Sequence, residues 1–147
     1  MPKVFRIVKK KHTDTALEGL GAKRHGGRWN SKGAPVVYAS DSIALAALEL
    51  LVHLKRQEVL AHYVVFQLAL TDEQVLALEG DALPADWQDD PPPPSTAEIG
   101  DDWLDSGASL ALAVPSVIVP GQHIFLLSPQ HPEFQAVADQ ATSFPFE

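Results

Sequence analysis

Residues 43–54 read IALAALELLVHL, an almost continuous apolar run in which Glu49 is the one residue with a formal charge at pH 7. This composition predicts an α-helix that buries most of its circumference. An ionised carboxylate is costly to bury without a partner. We therefore expect Glu49 either at the edge of the buried face or in a cleft where its charge is used.

Strand-like and helix-like stretches lie on both sides of this run. Alternating or β-branched patterns predict strands at residues 3–8, 35–39, 61–70, 109–114, 117–119 and 123–127. Helices are predicted at residues 13–20, at 43–56 after a cap at Ser40, Asp41 or Ser42, at 71–78 after a capping box, and at 95–104. Residues 19–33 are expected to form a loop with a short extended piece at 28–29, and residues 134–146 fit either a strand or a helix.

The order of these elements predicts one domain with an α+β fold. Helices do not alternate regularly with strands, so we expect a mixed or antiparallel sheet with flanking helices rather than a doubly wound parallel sheet. Residues 80–94 are acidic and proline-rich and are expected to form a surface loop. No internal repeat is present, and we expect residues 1–147 to form a single domain around one core.

Charge is sorted along the chain. All eleven Lys and Arg lie within residues 1–56 beside four acidic residues, whereas residues 57–147 hold fifteen acidic residues and no Lys or Arg. An anion bound through Lys or Arg must therefore contact the first part of the chain. We expect a small anionic ligand rather than a nucleic acid, because the acidic remainder would repel phosphates. Two oppositely charged faces that only maintain solubility or steer a partner are an equal alternative.

Several common chemistries lack their motifs. The chain has no cysteine, no GxxxxGK[ST] loop and no GxSxG elbow, and its histidines show no metal-ligand spacing. No apolar stretch reaches the length of a membrane span, and the N-terminus lacks the apolar region of a signal peptide. We therefore expect a cytoplasmic protein with no metal, no membrane and no direct nucleic-acid partner.

A set of short motifs stands in a fixed order along the chain. They are FRI at 5–7, HGGRWN at 25–30, VYAS at 37–40, Glu49, IGDDWL at 99–104, AVPS at 113–116 and SPQHP at 128–132. This set closely resembles the RES domain family from about residue 4 to residue 134. The family takes its name from an arginine, a glutamate and a serine, which match Arg28, Glu49 and Ser116. An asparagine common in the family is missing from the segment at residues 123–131.

The resemblance implies a fold similar to ADP-ribosyltransferase toxins and the role of toxin in a bacterial type II toxin–antitoxin pair. The implied partner is a DNA-binding, Xre-type antitoxin, and a homodimer within that complex stays open. The resemblance also implies action on NAD⁺ as a substrate, with no true cofactor: the nicotinamide–ribose bond would be cleaved by hydrolysis or phosphorolysis. Mono-ADP-ribosylation of a cellular protein and a non-catalytic, antitoxin-binding module are the alternatives.

Particular residues carry these implied roles. The resemblance implies catalytic roles for Arg28, Tyr38, Glu49 and Ser116, and NAD⁺ contacts for Arg6, Arg28, Trp29, Tyr38 and Ser40. Glycosidic cleavage passes through an oxocarbenium-like state, which a fixed carboxylate such as that of Glu49 would stabilise. Arg28 offers a planar fork for a diphosphate or a carboxylate.

Each of these residues also has a purely structural alternative. Glu49 could lie at the edge of the core, Arg28 could be a solvated loop residue, and Arg6 could be an exposed strand residue. Tyr38 and Trp29 are aromatic residues of the kind that often only pack. Ser116 could bond a ribose, a phosphate or Glu49, and nothing places a histidine base beside it to make it a nucleophile.

Overall fold

A computed structural model describes residues 2–53 and 62–146. Within these ranges the strands are β1 (Lys3–Lys9), β2 (Val37–Ser40), β3 (Tyr63–Ala69), β4 (Val75–Ala77), β5 (Ala111–Pro115), β6 (His123–Leu127) and β7 (Thr142–Pro145). The α-helices are α1 (Leu20–His25), α2 (Ile43–His53), α3 (Pro94–Ser106) and α4 (Phe134–Asp139). None of the described helices is both long and apolar enough to cross a membrane.

The strands form one mixed sheet in the order β4-β5-β6-β2-β1-β3-β7. Neighbouring strands are antiparallel except for β4 and β5, which are parallel. The longest pairing joins β1 to β3, from Lys3 opposite Ala69 to Lys9 opposite Tyr63. The predicted α+β fold with a mixed sheet is confirmed.

Both faces of the sheet are covered near β5 and β6. Successive side chains of a strand point to opposite faces, so Ala111 and Ala113 belong to one hydrophobic cluster while Leu112 and Val114 belong to another. The first cluster includes Phe134 of α4, and the second includes Trp29 and Trp103. Neither face of β5 meets water, which explains why the strand is apolar at every position from 111 to 114.

The helix α2 is less buried than its sequence suggests. It packs against β1 and β2, with Leu45 and Ala46 buried, whereas Leu48, Leu51 and Val52 are 41%, 49% and 63% exposed. The expectation that this helix buries most of its circumference is wrong, because it contacts the sheet through one side. Its predicted end near residue 56 and the first residue of the predicted 61–70 strand lie outside the described residues.

The N-terminal third differs from the sequence prediction. A 3₁₀ helix at Lys10–Thr15 stands where a helix at 13–20 was expected, and α1 lies inside the expected 19–33 loop. Residues 28–29 form the tip of a tight turn rather than an extended piece, since Gly27 and Asn30 pair across them. Gly19, with a positive φ of 69°, separates the two helices.

Two predictions after β3 are also corrected. Thr71 and Gln74 form the predicted capping box, but the helix is a 3₁₀ turn at Asp72–Gln74. The chain then becomes β4 because Val75–Ala77 pairs with β5, a partner that local pattern cannot reveal. Residues 117–119 are not a strand, since the Ser116 hydroxyl accepts the N–H groups of Ile118 and Val119, each at 3.0 Å.

The remaining predictions agree with the structure. Residues 80–94 form the predicted surface loop apart from one 3₁₀ turn at Gly80–Ala82. The helix predicted at 95–104 is α3. The two alternatives for the tail both apply, since α4 and β7 follow one another there.

Candidate active site

A cleft of about 850 Å³ opens beside β1 and β2. This volume lies within the range of roughly 300–1,000 Å³ typical of small-molecule and cofactor sites. Among the predicted site residues, those that line the cleft are Arg6, Arg28, Trp29, Tyr38, Ser40 and Glu49. We call the side formed by Arg6, Tyr38 and residues 25–30 the arginine wall, and the side formed by α2 and residues 115–118 the helix wall.

The arginine wall is built on the tight turn between Gly27 and Asn30. The Gly27 N–H donates to the Asn30 carbonyl at 3.0 Å, and the turn sends its two tip residues in different directions. Trp29 is buried in the core, while Arg28 is half-buried and lines the cleft. A Cβ on Gly27 would lie 2.7 Å from the Tyr38 hydroxyl oxygen, so the close approach of this turn to β2 requires glycine.

Arg28 fastens the 80–94 loop to the rim of the cleft. Its Nη1 donates to the carbonyls of Trp87 at 2.9 Å and Asp89 at 2.8 Å. The same loop contributes Gln88 and Asp90 to the cleft lining. No residue in the described ranges accepts a hydrogen bond from Nε or Nη2 of Arg28, and these two groups form the bidentate edge of a guanidinium. Arg28 can therefore hold the loop and bind an anion at once.

Arg6 is a second cation at this wall. Its Nε donates to the Ala16 carbonyl at 2.9 Å and its Nη1 to the Tyr38 carbonyl at 3.0 Å. Burial lowers the pKa of the guanidinium, yet arginine keeps its charge in proteins because its pKa starts so high. A desolvated cation that lines a cleft attracts an anionic ligand more strongly than a solvated one does.

Tyr38 supports the turn with its hydroxyl. The hydroxyl donates to Oδ1 of Asn30 at 2.7 Å and accepts the Trp29 N–H at 3.2 Å. Burial raises the pKa of Tyr38 and Asp101 adds to the effect, while the Trp29 N–H and Arg28 oppose it. The phenol therefore stays neutral at physiological pH. Because its hydroxyl already donates a hydrogen bond to Asn30, Tyr38 can contact a ligand with its ring rather than act as an acid.

Asn30 is the residue of this wall that sequence reasoning missed. Its Oδ1 accepts the Tyr38 hydroxyl, and its Nδ2 donates to the carbonyls of Ala22 at 3.0 Å and Ser31 at 3.1 Å. A fully buried amide needs partners for all of these groups. Its position in the HGGRWN motif was the one sequence feature that could have identified Asn30 as part of the site.

Glu49 lies on the cleft side of α2 and is half-buried. The other residues that α2 contributes to the lining are apolar: Ala46, Leu50 and Val52. Ser40, another lining residue, is buried at the end of β2, and no described residue forms a hydrogen bond with its hydroxyl. Glu49 was expected either at the edge of the buried face or in a cleft, and the structure places it in the lining of a cleft.

Ser116 is not among the residues that line the cleft. It is buried, and its hydroxyl closes the turn after β5 by accepting two backbone N–H groups. Its neighbours Pro115, Val117 and Ile118 line the cleft instead. Ser116 therefore has a structural role in the helix wall, and its direct contact with a ligand stays a prediction.

The SPQHP motif also lies outside the cleft lining. Nδ1 of His131 accepts the Glu133 N–H at 3.1 Å, just before α4 begins at Phe134. The motif thus lies directly before a helix. In the described part of the chain, no group of three or more acidic or histidine side chains is arranged to hold a metal ion.

Comparisons with known proteins agree with this fold. The RES domain family model matches residues 3–147. The protein named Toxin Res from Yersinia enterocolitica is 38% identical over 146 residues, which cover 98% of this chain and 96% of that protein. The Prs ADP-ribosylating toxin of Sphingobium sp. is 36% identical over 124 residues, covering 82% of this chain and 77% of that protein.

A solved structure shares the fold. It is the crystal structure of the M. tuberculosis MbcT-MbcA toxin–antitoxin complex, in which one chain superposes with a TM-score of 0.74 at 21% identity, covering 98% of this chain and 83% of that chain. The family model spans nearly the whole sequence, and two relatives exceed a third identity over most of their length. This chain belongs to the RES domain family.

Proposed function

We propose that this protein is the toxin of a toxin–antitoxin pair and that it consumes NAD⁺ by cleaving the nicotinamide–ribose bond in the cleft. The observation that carries the proposal is the joint lining of one cavity by Arg6, Arg28 and Glu49, which come from three separate parts of the chain. Two guanidinium groups suit a diphosphate. One carboxylate among apolar neighbours suits a developing cation.

The proposed chemistry assigns a different task to each wall. The Nη2 sides of Arg28 and Arg6 bind the diphosphate, which places the ribose towards the helix wall. When the bond between nicotinamide and the anomeric carbon breaks, its electron pair passes to the ring nitrogen and neutralises it. The ribose then carries oxocarbenium charge, which the Glu49 carboxylate stabilises. Water or phosphate forms the new bond to the anomeric carbon, and a proton is released when water is the nucleophile.

The first test is product analysis on purified protein. Incubation with NAD⁺ should release nicotinamide, and Glu49→Gln should reduce the rate on the order of 10³-fold, as removal of one electrostatic stabiliser of a transition state does. Release that requires phosphate identifies phosphorolysis, and release without phosphate identifies hydrolysis. If wild-type protein releases no nicotinamide under either condition, the proposed activity is wrong.

Protein ADP-ribosylation is a second candidate, because a relative 36% identical is named as an ADP-ribosylating toxin. The same bond breaks in both reactions, and only the acceptor differs. Labelled NAD⁺ offered with a cell lysate distinguishes them. Label bound covalently to one protein favours the transferase, whereas label found only in small-molecule products favours degradation.

The proposed partner is an antitoxin, and its support is the structural likeness to a chain solved in a toxin–antitoxin complex. Its assignment to the DNA-binding Xre type rests on the family resemblance alone. Co-expression with a neighbouring open reading frame that encodes a helix-turn-helix pattern should restore growth. Growth arrest that persists with Glu49→Gln would instead favour a non-catalytic binding module.

A further inference from the structure

The start of α2 is attached to the turn at residues 116–122 by a side chain on each element. Ser42 caps the helix: its hydroxyl oxygen accepts the Leu45 N–H at 3.0 Å. The same hydroxyl donates to Oε1 of Gln122 at 3.0 Å. This hydrogen bond joins residues that are far apart in the chain, and neither residue lines the cleft.

Two further hydrogen bonds beside this link hold the same two segments together. The Asp41 N–H donates to the His123 carbonyl at 3.1 Å, and the His123 N–H donates to Oδ2 of Asp41 at 2.9 Å. Asp41, two positions before the helix begins, is thus fixed to the first residue of β6. The Ser42–Gln122 bond extends this attachment into the helix itself.

The turn that holds Gln122 is closed from within. The Ser116 N–H donates to the Gln122 carbonyl at 2.8 Å, and the Gln122 N–H donates to the Val119 carbonyl at 3.2 Å. The Ser116 hydroxyl accepts two further N–H groups of the turn. Because Val117 and Ile118 of this turn line the cleft, the segment that anchors the helix is also part of the helix wall.

We propose that Gln122, acting through Ser42, is a positioning residue for Glu49, and that Ser116 acts on the site by closing the turn that carries Gln122. Glu49 lies seven positions after Ser42, which is about 10 Å along a rigid helix. A shift of the cap therefore moves the carboxylate. The inference rests on the proposed function for the role of Glu49, while the attachment of α2 can be measured without it.

Gln122→Leu tests the inference because it removes the acceptor and leaves the Ser42 cap on Leu45. Gln122→Glu retains an oxygen at the Oε1 position and is the conservative rescue. Gln130→Leu is the matched control, since Gln130 is exposed and no hydrogen bond joins its side chain to the described residues. Each protein is assayed for kcat, KM, thermal midpoint and amide hydrogen exchange in residues 43–53.

For Gln122→Leu we expect kcat to fall about tenfold, less than the roughly hundredfold loss that a 1 Å misplacement can cause. KM should stay within about twofold, because substrate contacts are unchanged, and exchange in the first turn of α2 should accelerate. Gln122→Glu should recover most of kcat, and Gln130→Leu should match wild type.

Three results would overturn the inference: wild-type kcat in Gln122→Leu, an equal loss in Gln130→Leu, or no recovery in Gln122→Glu. If wild-type protein releases no nicotinamide, the proposed function fails, and hydrogen exchange alone tests whether Gln122 holds the start of α2. Faster exchange at the start of α2 in Gln122→Leu then supports the attachment, and unchanged exchange rejects it.

Discussion

The two walls of the cleft are built in opposite ways. On the arginine wall, Arg6, Arg28 and Tyr38 are held by hydrogen bonds to backbone or amide groups. On the helix wall, Glu49 is the charged lining residue, and its neighbours there are apolar. The difference is that one wall holds its side chains in place through hydrogen bonds, whereas the other presents one carboxylate among apolar side chains.

The largest predicted effect tests how tightly the arginine wall is packed. A Cβ on Gly100 of α3 would lie 1.5 Å from the Trp29 carbonyl oxygen, so Gly100→Ala forces the helix away from the turn. We expect the free energy of unfolding to fall by roughly 3 kcal/mol or more, as severe overpacking does, measured by denaturant unfolding.

Gly21→Ala is the matched control for this substitution. A Cβ on Gly21 meets nothing within 4 Å, and Gly21 lies in α1. Replacing a helical glycine with alanine should raise stability by up to about 1 kcal/mol. Equal destabilisation by both substitutions would contradict the close packing of α3 on the turn.

The next effect is on binding. Arg28→Lys removes the planar fork, and one ammonium cannot both reach the carbonyls of Trp87 and Asp89 and grip a diphosphate. We expect NAD⁺ affinity, measured by titration calorimetry, to fall on the order of 100-fold, about 2.7 kcal/mol. Unchanged affinity would show that the arginine wall does not hold the diphosphate.

Tyr38→Phe has a smaller effect, mainly on stability. It leaves Oδ1 of Asn30 and the Trp29 N–H without their partner, which should cost about 1.5 kcal/mol. Above its ordinary pKa of 10.0, the unfolded chain loses the Tyr38 proton while the fold retains it, so wild-type stability falls as pH rises. The stability of the phenylalanine variant should lack this part of the decrease at high pH. Loss of kcat at full stability would instead indicate a catalytic hydroxyl.

The smallest effect is expected away from both walls. His131→Ala removes the acceptor for the Glu133 N–H at the start of α4. Stability should fall by about 0.5–1 kcal/mol, as for the loss of one exposed hydrogen bond, with no change in nicotinamide release. A strong loss of activity would place the SPQHP motif in the reaction after all.

Local pattern was enough for much of the sheet, and the family resemblance grouped several of the residues that line the cleft. The predicted strands at β1, β2, β3, β5 and β6 are present because alternation and β-branched residues are local signals. Arg6, Arg28, Tyr38, Ser40 and Glu49 share a cleft, as the ordered motifs suggested. The β4 strand was missed since its partner β5 lies far away in the sequence.

Ser116 shows what motif order cannot supply. Its position in the family motif pointed to the site, but its hydroxyl is used by the turn at 116–119. A serine that closes a turn and a serine that binds substrate have the same sequence signal. The bonding partners of Asn30, Gln122 and Ser42 are likewise tertiary contacts that only a structure reveals.

The most direct test separates binding from turnover at Glu49. NAD⁺ binding by calorimetry and nicotinamide release at saturating NAD⁺ should be measured for wild-type protein and Glu49→Gln. Under the proposed function, the charge that Glu49 stabilises develops only as the bond breaks, so the variant should bind NAD⁺ within about threefold of wild type and turn over on the order of 10³-fold more slowly. Equal turnover by the two proteins would contradict the assignment of Glu49 as the group that stabilises the oxocarbenium charge.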